Sequence, residues 1–157
     1  MTIHRRLAVL LAFFVWATAS FAAPSAQVSA LEFVMRQRLG ENLSSMALAT
    51  VTRTQTFAML VSKLGADGAK ASISRELQAS LPRFQSRWNQ NLANAYAKNF
   101  SAGELTSLAA EGRASKYAGK VAERQTAVGT EMRATSESVL SEYIAEALAN
   151  AFAKLPK

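Results

Sequence analysis

Cysteine is missing altogether from the 157-residue chain. That excludes disulfides, thiolate nucleophiles and thiolate metal sites, and it leaves stability to packing alone. Histidine is nearly missing, because His4 is the single example. Proline occurs only at Pro24, Pro82 and Pro156, and glycine seven times, so there are few places where a helix is obliged to stop. No alternation of apolar and polar residues runs long enough to make a strand. The chain also has no phosphate-cradling P-loop and no GxGxxG dinucleotide turn. No lysine follows a serine by three or four residues, so the SxxK spacing of a Ser-Lys dyad is absent.

The first stretch of the chain is organised in a fixed order. Met1 to Arg6 is short and basic, Leu7 to Ala17 is unbroken and apolar, and Thr18 to Pro24 is rich in small residues. Ser20 and Ala22 stand at the spacing a signal peptidase accepts. The pattern predicts a cleavable secretory signal peptide over residues 1–22, cut after Ala22, with Ala19 as the second choice. The apolar run falls short of the ~20 residues of a membrane span, and no basic stop-transfer cluster follows it. Arg5-Arg6 lacks the neighbours of a twin-arginine signal, so the chain is expected to be exported unfolded. The expected location is periplasmic or secreted.

Export changes the chemistry that remains. His4 leaves with the leader, which removes histidine triads and histidine metal sites, and no metal or cofactor is expected. The net charge falls from +7 to +5, because Arg5 and Arg6 take the 18 basic residues to 16 against 11 acidic ones. Nucleic acid is not expected as a partner after export. Residues 23–157 are long enough for one domain.

That domain reads as all-α, a bundle of about five or six helices. Ser29-Ala30-Leu31-Glu32 has the form of a capping box, so the first helix is expected to open at Ser29, with Leu31, Val34, Met35 and Leu39 inward and Gly40 ending it. A second stretch spans about Glu41 to Leu64, with Val51-Thr52 and Thr54 to Thr56 read as helix or a short break. A short helix is expected near Lys70 to Gln78. Another starts at Ser80 with Pro82 in its first turn, where the missing N–H costs little. Leu81, Phe84, Trp88, Leu92, Ala95, Tyr96 and Asn99 share one face of it. Phe100 to Leu105 reads as a capping box of Ser101 and Glu104 inside a staple of Phe100 and Leu105. The last pattern runs from about Lys116 to Ala153, polar from Gln125 to Ser138, with a break near Gly129 an option.

Two basic stripes are the candidate binding residues. Arg83, Arg87 and Lys98 lie on a helix with no acidic residue between Leu81 and Phe100. Arg113, Lys116, Lys120 and Arg124 follow at steps of three, four and four. Either can meet phosphates of an anionic lipid or lipopolysaccharide surface, against the plainer reading of a solvated face. Carboxylate chemistry has one candidate pair, Glu142 and Glu146, four apart on one helix. Trp88, Tyr96 and Phe84 are read as core.

The segment from Tyr96 to Lys120 resembles the exported bacterial proteins grouped as domain of unknown function 2059. Their motif is an aromatic, Ser or Thr, two variable residues, Glu-Leu, two more and Leu, which Phe100, Ser101, Glu104, Leu105 and Leu108 match. Ser115, Gly119 and Lys120 stand for its following turn. Glu111-Gly112 replaces the family's Phe-Tyr pair, and no proline follows Ser115. The resemblance implies a helical periplasmic domain without known catalysis.

The expected function is thus a non-enzymatic, exported helical module that binds an unknown protein, an envelope component or an apolar ligand through a helix groove. The alternative is a carboxylate-dependent hydrolase of envelope polymers using Glu142 and Glu146. A homodimer through the apolar C-terminal helix is a further option.

Overall fold

Hydroxyl side chains set where three of the helices begin. In the computed structural model, which describes residues 24–155, five α-helices and a single 3-10 turn follow one another without any strand among the described residues. They are α1 (Ala26–Arg36), α2 (Leu43–Val51), α3 (Gln55–Asn99), α4 (Ala102–Glu111) and α5 (Ala118–Ala153), with the turn at Gly112–Ala114 before α5. The proposed leader, residues 1–22, lies outside the described residues. Ser25 caps α1, its Oγ accepting the Val28 N–H at 3.3 Å. Thr54 caps α3 by accepting from Phe57 N–H at 3.2 Å. Ser101 and Glu104 form the expected reciprocal box at α4: the glutamate accepts the Ser101 N–H at 2.8 Å and the serine accepts the Glu104 N–H at 3.4 Å.

Ser29 does not cap α1. The helix starts a turn earlier at Ser25, and Ser29 is buried within it, its hydroxyl 3.2 Å from that of Thr106. The earlier start is accompanied by a different inward face. Phe33 is buried beside Val34 and Ala30, while Met35 is 58% exposed. Gly40 does not end α1 as a cap either. It is buried where the α1–α2 loop crosses α3, a Cβ there would collide with the Asn89 side chain, and its carbonyl accepts from Gln85 Nε2 at 2.8 Å.

The long second stretch breaks at Thr52 to Thr54, where the β-branched threonines hydrogen-bond back to Ala49 and Val51 carbonyls. The helices expected near Lys70 and from Ser80 are one. α3 is kinked at Gly65, with φ 73° and ψ 166°, and otherwise runs on through Pro82. Pro82 therefore sits in a helix interior and not in a first turn. It leaves the Gln78 carbonyl without its helical donor, and the adjacent Leu77 carbonyl accepts the buried Tyr143 hydroxyl at 2.8 Å. α5 is unbroken at Gly129.

α3 and α5 make the most extensive contact and run antiparallel: partner numbers fall along α5 as they rise along α3, in Arg83–Glu146, Arg87–Glu142 and Lys98–Glu131. Two apolar clusters lie along this pair. In one, Leu43, Ala47 and Val51 of α2 pack on Leu60, Ile73, Leu77 and Phe84 of α3 and on Val139, Tyr143 and Ala147 of α5. In the other, α1 packs on the far end of α3 and α4 packs on α1, through Phe33, Val34, Phe100, Leu105 and Leu108. Phe33 meets Tyr96 edge-on, with ring centroids 5.1 Å apart. Met132 packs against both clusters.

Tyr143 ties α5 to the proline-bearing turn of α3, so Tyr143→Phe is expected to lower stability by about 1 kcal/mol in urea unfolding, the net worth of one buried hydrogen bond. An unchanged midpoint would show that the hydroxyl contributes nothing to the seam.

Candidate functional site

The first basic stripe turns inward on the chain's own acids. Arg83 pairs with Glu146 and Lys98 with Glu131, while Arg87 Nη1 lies 2.6 Å from Glu142 Oε2. The four-residue steps of Arg83 to Arg87 and of Glu142 to Glu146 match because both helices turn once in 3.6 residues. Asn91 continues the row, its Nδ2 donating to the Thr135 carbonyl at 2.8 Å and to Ser136 Oγ at 3.1 Å. The Arg87 guanidinium holds the Glu142 carboxyl below the usual glutamate range, chiefly through its hydrogen bond. A general acid needs the opposite shift, and Glu142 and Glu146 each hold an arginine instead of facing a shared substrate position.

The second stripe is not one helical face. Arg113 lies in the 3-10 turn, Lys116 in the loop after it, and Lys120 and Arg124 in α5. Lys120 Nζ is 2.6 Å from Glu104 Oε1 and 5.2 Å from the centre of the Phe100 ring. Lys120, then the Ser101 N–H, holds the Glu104 carboxyl below its ordinary range. Lys116 stands over the Tyr117 ring at 5.1 Å. Arg113, Lys116 and Arg124 are exposed and make no ion pair among the described residues.

A further charge pair has no counterpart in the sequence reading. The Glu76 side chain is only 3% exposed, and both its oxygens accept from Lys154 Nζ at 2.7 Å. The signal was there in outline: Glu76 follows Ile73 by three and precedes Ser80 by four, on the face that α3 buries.

The clearest concavity is a cleft of about 510 Å³ between α2, α3 and α5. Leu39 and Met46 form one wall, Trp88 and Leu92 the floor, and Met132 and Leu140 the other wall. Asn42, Arg133 and Glu137 stand exposed at its rim, and Gly129 of α5 opens onto it. It lies against Met132, where the two apolar clusters meet. Its size falls within the ~300–1,000 Å³ of small-molecule sites, and apolar walls with a few polar groups at the edge are their usual lining. Trp88 is part of the core, as expected, and also lines this space. Arg133 and Glu137 were not among the candidate residues, because they fall in the polar part of α5 that gives no periodic signal. No group of three or more Asp, Glu, His or Cys side chains stands together among the described residues. No described helix is long and apolar enough to cross a membrane.

The charge pairs differ in what they hold. Arg87→Ala, at an exposed pair, is expected to leave stability nearly unchanged. Lys154→Ala strands a buried carboxylate and is expected to cost about 3 kcal/mol. Urea unfolding of the two variants checks the order, and equal losses would overturn it. Comparison of the chain with family models, with curated proteins and with solved structures returns no match in any of the three.

Proposed function

We propose that this chain is an exported, non-enzymatic binding module of the bacterial envelope, and that the cleft between α2, α3 and α5 is where it takes an apolar ligand. The observation that carries the reading is the cleft itself, with Trp88 and Leu92 beneath two walls of leucine and methionine. Methionine suits such a wall, because its unbranched thioether adapts to ligands of differing shape. Export follows from the leader pattern of residues 1–22, and the resemblance to the exported helical family of domain of unknown function 2059 agrees with it. The hydrolase reading draws no support from the geometry, since Glu142 and Glu146 are each engaged by an arginine. Arg113, Lys116 and Arg124 remain available to the phosphates of an envelope surface.

Two measurements test the two halves of this reading. The protein recovered from the envelope of expressing cells is expected to begin at Ala23, and an N-terminus at Met1 would overturn cleavage. The same protein is expected to bind the neutral apolar dye N-phenyl-1-naphthylamine saturably, near one molecule per chain, with energy transfer from Trp88. Leu92→Arg, which sets a charge in the floor, is expected to weaken binding at least tenfold. Absence of saturable binding would overturn the ligand reading.

A further inference from the structure

Five cations on or beside α3 and α5 are paired within the protein. Arg83, Arg87, Lys98, Lys120 and Lys154 each meet a carboxylate. Arg133 and Glu137 lie on the same helix as four of those carboxylates and cations, yet neither makes an ion pair among the described residues. They stand one helical turn apart and could close on each other. Arginine before glutamate is the less favourable order for such a pair, and the two stay open at the rim of the cleft.

Gly129 lines the same cleft. It lies in the interior of α5, where glycine costs about 1 kcal/mol relative to alanine. A Cβ built on it would touch nothing within 4 Å. Packing inside the protein therefore does not require a glycine there. The missing side chain instead leaves the helix backbone open to whatever enters the cleft, one turn before Arg133.

Resting on the reading of the cleft as an apolar ligand site, we infer that its ligand is a single-chain amphiphile with a zwitterionic head, a phosphate and an ammonium group. The chain lies along Gly129 over Trp88 and Leu92, in a space sized for one ligand of this kind. The Arg133 guanidinium takes the phosphate through its fork of N–H donors. Glu137 accepts from the ammonium. Side chains one turn apart, with Cβ atoms about 5–6 Å from each other, suit charges separated by a short spacer, as in a phosphoethanolamine head. The adjacent charges of an α-amino acid fit that separation less well.

The test is displacement of bound N-phenyl-1-naphthylamine from the exported protein by three monoacyl ligands of equal chain length, each kept below its micelle concentration. Lysophosphatidylethanolamine carries both charges, lysophosphatidylglycerol only the phosphate, and monoacylglycerol neither. The expected affinity order is that order, with about tenfold between the first and the last. Arg133→Gln is expected to lower lysophosphatidylglycerol to the affinity of monoacylglycerol and to leave lysophosphatidylethanolamine only the advantage of its ammonium on Glu137. Glu137→Gln is expected to erase only the difference between the two phospholipids. Gly129→Leu is expected to block all three ligands while circular dichroism stays helical. Equal affinities for the three ligands, with the dye still bound, would overturn the headgroup assignment and leave the apolar site standing. Failure to bind the dye at all would overturn both.

Discussion

Antiparallel packing of α3 on α5 buries a tyrosine ring whose hydroxyl still has to find an acceptor. Tyr143 is fully buried against Phe84, with ring centroids 5.0 Å apart, and it reaches the Leu77 carbonyl across the seam. Burial away from water pushes its phenol above the ordinary value, so it stays a neutral donor. The remaining elements depend on this seam. α2 closes one end by burying Leu43, Ala47 and Val51 on it, and α1 with α4 closes the other around Phe33, Leu105 and Leu108. The cleft is the space left where the two closures meet the same pair of helices.

Charge follows the same register. Three cations of α3 face three carboxylates of α5, and the matching four-residue steps of two of those pairs keep both helices in phase. Exposed pairs of this sort contribute little to stability individually. A slip of one turn along the seam would nevertheless keep only one of the two arginine pairs and set Lys98 opposite Ala127 or Thr135. Glu76 with Lys154 is different in kind, because one of its partners has left water almost entirely.

Most of the helical content was legible from the sequence, because scarce glycine and proline and the 3.6-residue apolar period leave few alternatives. The α4 start was legible in detail, since Ser101 and Glu104 satisfy each other locally. Ser29 shows the limit of such patterns. The same Ser-x-x-Glu spacing arises inside a helix that Ser25 has already begun, and the choice is associated with packing on Thr106, 77 residues away. The stripe of Arg83, Arg87 and Lys98 looked unpartnered for the same reason, as Glu146 lies 63 positions from Arg83. The cleft draws its walls from a loop and three helices, so no single segment carries its signature. Arg133 and Glu137 acquire meaning only once Trp88 and Met46 stand beside them.

The order of the chain gives the seam a consequence in time. α5 is the last of the described elements, 36 residues long, and it contributes to both apolar clusters. A nascent chain that has reached only α4 has the inner face of α3 uncovered and Glu76 without its lysine. α5 supplies Val139, Tyr143, Ala147 and Ala151 to one core and Val128 to the other, so neither is complete until the final helix is made.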